Sequence, residues 1–370
     1  MEDTTSARLQ AVDIGGLERT ALEAALAERG HERFRARQIF GWIYRRGVTN
    51  LDAMSDLPRD LRATLGSAFT LTTPTIVARE RSTDGTEKFL LRLADGRQIE
   101  SVFIPDTPAM TFCISTQVGC AMACAFCLTG KMGLVRHLTA GEIVGQVRLL
   151  AEALALRNKA FNIVLMGMGE PLHNYDETMK ALRILADAHG FALPPRRVTL
   201  STVGLLPALE RLAREPVMPN LAISLHAPTD LQRGQLVPIN TKYGVADIIE
   251  ACKRFPLKRR SRITFEYVLL AGVNDSPADA RALATLLAGV KSKVNLIPLN
   301  EAPGIAFERP SDAAIDRFAR ILSERGLTVS VRKSRGRDIR AACGQLIVDG
   351  QKRSPGQQLA MLAFGNRVTG

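Results

Sequence analysis

The chain changes its hydrophobic period near residue 95. Upstream, over residues 17–66, apolar positions fall three and four apart. This spacing predicts helices over Leu17–Arg29, closed by Gly30, and over Arg35–Arg46, where Ile39, Phe40, Trp42 and Ile43 sit among arginines before Gly47. Ile76–Ser82, Glu87–Leu93 and Gln98–Ile104 then read as strands. The turn dipeptides Asp84-Gly85 and Asp95-Gly96 separate them, and they form a small sheet bridging into the core. From Thr111 onward, short apolar runs alternate with helical periods. The predicted strands are Thr111–Ser115, Asn162–Met166, Arg197–Ser201, Leu221–Leu225, Ile263–Leu269, Lys293–Leu299 and Leu327–Arg332. Such alternation implies parallel β-α units and an α/β core.

The first core helix has a legible start. Thr139 precedes Glu142 by three residues as a capping box, and Ile143, Val144, Val147, Leu150 and Leu154 then line one face. The residues between Ser115 and Thr139 therefore form a loop after a strand and before a helix, the position at which β/α barrels carry their active sites. No repeated period or low-complexity segment interrupts the pattern. Ser354-Pro355-Gly356 marks a loop before a short C-terminal tail.

Composition narrows the setting. A chain of 370 residues allows about two domains, and a hydrophobic fraction of 46% fits a globular protein with an ample core. No apolar run reaches membrane-spanning length, and the polar, acidic Met1–Gln10 is unlike a signal peptide, so a cytoplasmic protein is expected. In that compartment the six cysteines read as reduced and chemically employed or buried, not as a disulfide framework. The net charge of +12 is unevenly distributed. Residues 1–100 carry 15 Lys+Arg against 15 Asp+Glu and residues 101–250 carry 13 against 12, whereas residues 251–370 carry 21 against 10. Lys258, Arg259, Arg260 and Arg262 form one basic run; Arg332, Lys333, Arg335, Arg337 and Arg340 form another that leads to Cys343. A solvated face would account for either run alone. Two runs, one adjoining a candidate reactive cysteine, favour a polyanionic substrate.

The candidate chemistry lies in the loop after the first core strand. Cys120, Cys124 and Cys127 have the spacing C-x3-C-x2-C, and Cys113 and Cys343 lie outside that run. Three thiolates suit a [4Fe-4S] cluster with one iron left open to a substrate or cofactor. A structural zinc site would need a fourth ligand, which Cys113 or His137 would have to supply. A redox pair of Cys124 and Cys127 would leave Cys120 without a role, and plain packing of small apolar thiols is the remaining alternative. Cys252, among Ile248, Ile249 and Phe255, is assigned to packing.

The run Cys120–Cys127, with Phe126 before its last cysteine, resembles the cluster loop of radical S-adenosylmethionine (SAM) enzymes. Further segments narrow the resemblance: Cys113-Ile-Ser-Thr-Gln-Val-Gly-Cys120, Met166-Gly-Met-Gly-Glu-Pro171, Val198-Thr-Leu-Ser-Thr202, Ser224-Leu-His-Ala-Pro228, Asn295-Leu-Ile-Pro298 and Ala342-Cys-Gly-Gln-Leu346. Together and in this order they resemble the RlmN/Cfr family of RNA adenine methyltransferases. The likeness is close over residues 98–350, and residues 1–97 resemble the accessory domain of its RlmN branch.

The resemblance implies a partial (β/α)6 radical SAM barrel over residues 96–350, an N-terminal helical accessory domain with a small β-rich connector over 1–95, and a tail over 351–370. It implies a [4Fe-4S] cluster on Cys120, Cys124 and Cys127, and SAM bound by Gly169, Glu170, Ser201, Ser224, Leu225, His226 and Asn300. Read alone, each of these has an ordinary role: a tight turn for the glycines, a helix cap for Ser201, a structural histidine for His226, a loop turn for Asn300. The resemblance further implies that Cys343 accepts a methyl group from one SAM. A radical from a second SAM then takes hydrogen from that S-methyl group, and the carbon adds to adenine. Cys113 releases the product by forming a transient disulfide, and Glu100 is the candidate proton acceptor. Arg335, Arg337 and Arg340 are expected to lower the pKa of Cys343.

The expected activity is methylation of adenosine C2 in 23S rRNA and of adenosine 37 in tRNAs, by a monomer that needs a reducing electron donor and no membrane. The rival readings are C8 methylation of the same rRNA adenosine and a non-catalytic, zinc-stabilised RNA-binding protein.

Overall fold

The computed structural model describes residues 11–105 and 109–348; the tail assigned to 351–370 and the polar start Met1–Gln10 lie outside the described residues. The chain folds as two compact units. One takes residues up to Thr75 together with Leu138–Ala160 and Asp176–Pro194; the other takes Ile76–His137, Phe161–Tyr175 and the chain from Pro195 on.

The first unit is helical. Helices Arg19–Ala27, Arg59–Ala68 and Ala140–Ala153 bury Leu22, Leu26, Leu61, Leu65, Ile143 and Val147. The Thr139–Glu142 capping box is formed in both directions. The helix predicted over Arg35–Arg46 begins as an α-helix, Arg35–Phe40, but continues as a π turn over Gly41–Arg45. Ala36, Ile39, Phe40, Ile43 and Tyr44 are buried at three- and four-residue spacing, Tyr44 with its hydroxyl donating to the Gly15 carbonyl, while Trp42 lies towards the surface and donates to Asp56.

The second unit is built on one ten-stranded sheet: β1 (Thr75–Arg81), β2 (Glu87–Arg92), β3 (Gln98–Ile104), β4 (Thr111–Cys113), β5 (Asn162–Leu165), β6 (Val198–Thr202), β7 (Asn220–Ser224), β8 (Ile263–Leu269), β9 (Ser292–Pro298) and β10 (Val329–Val331), in chain order across the sheet. Strands β4 to β10 are all parallel. β8 is buried along almost its whole length, as expected of a strand covered on both faces. Because β1 and β10 remain edges, the barrel is partial.

The connector strands are not a separate sheet. β3 pairs antiparallel with both β2 and β4, so the hairpin extends the barrel sheet past β4 and satisfies hydrogen-bonding groups that an open edge would expose. Among the described residues no helix is long and apolar enough to cross a membrane.

Candidate active site

The cysteine loop leaves a short antiparallel ribbon, Gln117–Gly119 with Leu134–His137, and runs into the helix Leu128–Met132. Gly119 is required at the ribbon's end: its φ is +76°, and a Cβ there would lie 1.9 Å from the Gly133 carbonyl oxygen. Cys127 N donates to Cys124 O at 3.1 Å, and Ala125 N donates to Leu236 O at 2.9 Å. Cys120, Met122 and Phe126 pack on Val203, Ala227, Val268 and Ile297 around the carboxyl ends of the parallel strands.

The three loop cysteines line a cavity of about 150 Å³ together with Gly169, Glu170, Ser201, Ser224, His226 and Asn300. Every residue expected to touch SAM is therefore brought there except Leu225, whose side chain is fully buried and whose carbonyl accepts from Arg233 Nε at 3.0 Å. Gly169 has φ +108°, and a Cβ would lie 2.6 Å from Gln117 Cβ. Glu170 is buried, and its two oxygens accept from Leu172 N at 3.1 Å and Val203 N at 2.9 Å. Burial pushes its carboxyl up to about 7 in spite of those donors. Ser201 and Ser224, on adjacent strands, hydrogen-bond each other at 3.2 Å. His226 adopts φ +63° and accepts from Val268 N through Nδ1 at 3.1 Å, which leaves Nε2 as the ring's donor. Asn300 donates to the Cys343 carbonyl at 3.3 Å, and its Oδ1 is buried without a partner.

A second cavity, of about 20 Å³, adjoins the first. Cys113 and Cys343 both line it, and Met166, Ile297, Asn300, Arg332 and Cys343 line both cavities. Both thiols are free. Burial pushes the Cys113 thiol up to about 12, with the neighbouring Cys343 acting in the same direction.

The cation at the Cys343 sulfur is Arg332, at the end of β10. It hydrogen-bonds that side chain and is held protonated first by Cys343, then by Glu266 and Cys113. Glu266 is buried on β8 and accepts from Asn295 Nδ2 at 2.7 Å. Arg337 and Arg340, expected at this thiol, are exposed. Glu100 lines neither cavity. Its carboxylate pairs with Lys88 at 3.2 Å and accepts from Ile347 N at 2.8 Å, in the segment that carries Cys343. Burial raises its pKa, and Lys88 opposes that rise. Cys252 is buried in the helix Val245–Arg254.

These residues fit a cluster and SAM. Three thiols ring one cavity, close enough that each of Cys120 and Cys127 raises the pKa of Cys124 after burial, and Asn300, whose Oδ1 has no partner, lines the same space. Among the described residues no group of His, Cys, Asp or Glu is arranged to hold a single ion. The fourth ligands proposed for a zinc site lie apart from the three cysteines: His137 does not line their cavity and meets Gln117 through Nδ1 at 2.9 Å, and Cys113 lines the second cavity.

Residues 114–284 match the model of the radical SAM superfamily, and residues 12–71 match the N-terminal domain of ribosomal RNA large subunit methyltransferases. The chain is 50% identical over 361 residues to the dual-specificity RNA methyltransferase RlmN of Geobacter sulfurreducens, covering 97% of this chain and 99% of that one. The chain belongs to the RlmN family. A second RlmN, from Anaeromyxobacter dehalogenans, is 45% identical over 364 residues, 97% of this chain and 98% of that one. The crystal structure of a radical SAM methyltransferase from Sphaerobacter thermophilus superposes with a TM-score of 0.86 at 49% identity, covering 90% of this chain and 99% of that one. RlmN membership brings a [4Fe-4S] cluster and SAM as cofactors.

Sequence reasoning missed Arg233, Glu266 and Gln117 as parts of this RlmN site. Arg233 and Glu266 read as ordinary charged residues of a helix and a strand. The one usable signal was Arg332 itself, a charged residue at the carboxyl end of a parallel strand.

Proposed function

We propose that this protein methylates C2 of an adenosine in 23S rRNA and adenosine 37 of tRNAs, through an S-methylated Cys343 and a transient Cys113–Cys343 disulfide. The observation that carries this reading is the shared cavity of Cys113 and Cys343, which has lining residues in common with the space ringed by Cys120, Cys124 and Cys127. The residues of 96–350 would form the catalytic core and those of 1–95 the accessory domain. The chain acts in the cytoplasm as a monomer served by a reducing electron donor.

Adenine C2 carries no nucleophilic lone pair, so a methyl cation equivalent cannot be passed to it directly. When bound, the cluster and SAM supply the methyl group and, after one-electron reduction, the carbon radical that takes a hydrogen atom. Cys343, with Arg332 at its sulfur, accepts the methyl group and later surrenders one of its hydrogens. The methylene carbon then bonds to C2. Resolution follows when the Cys113 thiolate attacks the Cys343 sulfur: the S–S bond forms, the S–C bond breaks, and its electron pair stays on the carbon, which takes up a proton. Before this resolution the C2 proton leaves to a carboxylate, for which Glu100 is the candidate, and the unpaired electron left by radical addition passes to a one-electron acceptor, which the oxidised cluster would supply; a dithiol reductant finally restores both cysteines. Met166 and Ile297, shared by both cavities, help to keep water from the reacting carbon.

The test is anaerobic reconstitution with iron, sulfide, SAM, a reductant and rRNA, followed by nucleoside mass spectrometry. The reading requires a product matching the C2-methyladenosine standard. A C8-methyladenosine product, or none from protein carrying a complete cluster, refutes it.

A further inference from the structure

Two arginines line the small cavity that holds Cys113 and Cys343, and they are differently engaged. Arg332 is committed to the Cys343 sulfur and to Glu266. Arg335 has no carboxylate partner among the described residues, and its Nε is buried without a hydrogen-bond acceptor. A buried guanidinium N–H left unpaired is costly, and a water, an ion or an incoming ligand oxygen is the acceptor that relieves it.

The backbone around Arg335 is pinned. Gly336 has φ +63°, and its N–H donates to Asp84 Oδ2 at 3.0 Å; a Cβ there would lie 2.7 Å from Ala341 Cβ. Ala341 N donates to Gly336 O at 2.8 Å, and Asp338 accepts from Ser82 Oγ at 2.5 Å and Thr83 N at 3.1 Å. Asp84 and Asp338 accept from amide and hydroxyl donors, and neither forms an ion pair with Arg335 among the described residues. The turn thus holds the guanidinium in place without an ion-pair partner of its own.

A cavity of about 20 Å³ admits one or two water-sized groups and cannot hold a nucleoside. It suits the non-bridging oxygens of a phosphate, while the adjoining space of about 150 Å³ is the larger volume beside Cys343. Planar guanidinium groups match phosphate oxygens in charge and geometry. We propose that Arg335 grips the phosphodiester flanking the target adenosine, and so sets the depth at which the base meets Cys343. This inference rests on the RNA methyltransferase reading above. It gives Arg335 a task different from the one expected from sequence, which was to activate the Cys343 thiol.

The test uses the full chain with its cluster, without SAM, and synthetic anticodon stem-loop RNAs. One RNA is unmodified; the others carry a single uncharged methylphosphonate, scanned through the phosphates around the accepting adenosine. Wild-type protein should lose about tenfold in affinity at one flanking phosphate and little elsewhere, and its log Kd against log salt should flatten by about 0.7 with that RNA. Arg335→Gln should bind unmodified RNA about as weakly as wild type binds that methylphosphonate, with no further loss when the two changes are combined. Arg335→Lys should recover part of the salt slope.

Equal sensitivity of wild-type protein at every phosphate overturns the assignment, and this arm does not depend on any variant folding. Independent, multiplying losses from the variant and the methylphosphonate overturn it too. Relief of Arg335-dependent binding by millimolar inorganic phosphate, with no methylphosphonate effect, would mark a site for a free anion instead of the RNA backbone. Wild-type protein that neither binds nor methylates these RNAs or rRNA overturns the functional reading itself.

Discussion

Arg233 ties the ends of two neighbouring strands together: its Nη2 donates to the Val203 carbonyl at 2.6 Å, just past β6, and its Nε to the Leu225 carbonyl at 3.0 Å, just past β7. The side chain is fully buried, and Asn240 Oδ1 accepts from Nη1 at 2.9 Å. Arg233→Met would leave those carbonyls unpaired. It should cost about 2–4 kcal/mol of stability. Chemical denaturation checks this, and a loss under about 1 kcal/mol would mean that water replaces the guanidinium.

Gly169 faces a different constraint. Alanine at φ +108°, with its Cβ against Gln117, would push the loop from the ribbon and disturb the Glu170 N–Gln117 Oε1 hydrogen bond of 2.8 Å. Gly169→Ala should weaken SAM binding at least tenfold, as read by calorimetry on cluster-loaded protein. Unchanged affinity would remove this loop from the SAM site.

The two-cysteine scheme predicts an asymmetry between its members. Peptide mass analysis of protein exposed to SAM should find one added methyl group on the Cys343 peptide. Cys113→Ala should keep that methyl group and accumulate a covalent RNA adduct, seen as a shifted band on a denaturing gel. Steady release of free methylated RNA by that variant would defeat the scheme.

Stability should fall in mild acid. Burial, helped by the Arg233 charge, depresses His226 to about 3 from an ordinary value near 6.5. Above pH 6.5 the ring is neutral in both folded and unfolded chains. Below it only the unfolded chain gains the proton, so stability is lost as pH falls from 6.5 towards 3, at about 1.4 kcal/mol per pH unit. Between pH 6.5 and 5 this amounts to about 2 kcal/mol. His226→Asn, which keeps an acceptor for Val268 N and tolerates the positive φ, should flatten the slope in denaturation experiments across that range.

Lys88 offers a test of Glu100. Burial raises the Glu100 carboxyl and the Lys88 ammonium at 3.2 Å opposes that rise, so Lys88→Met should raise it further. If Glu100 takes the ring proton, the acidic limb of the methylation rate profile must move to higher pH. A profile that keeps its position would assign the proton to another group.

The strands and the cysteine loop were legible because hydrophobic alternation and the spacing of Cys120, Cys124 and Cys127 are local patterns. The convergence of Ser201, Ser224, His226 and Asn300 was legible only through family resemblance, since each lies at a different strand end and each has an ordinary local role. The helix from Arg35 was legible, but its π turn over Gly41–Arg45 was not, because a hydrophobic period does not register a local change of turn width. The partner of Cys343 was misjudged for a related reason. Proximity in sequence favoured Arg335, Arg337 and Arg340, but strand direction delivers Arg332 to the sulfur.

Cys113 lies at the start of the parallel strands and Cys343 after their end, in a segment fastened to much earlier elements by Glu100, Asp84 and Ser82. The two thiols of the scheme are thus far apart in the chain, and only the folded sheet brings them to one cavity. The same segment also meets the cysteine loop, where Leu128 N donates to Gly344 O at 2.8 Å and Thr129 Oγ1 to Leu346 O at 2.6 Å, so loosening it would disturb the radical-forming site and the methyl carrier together.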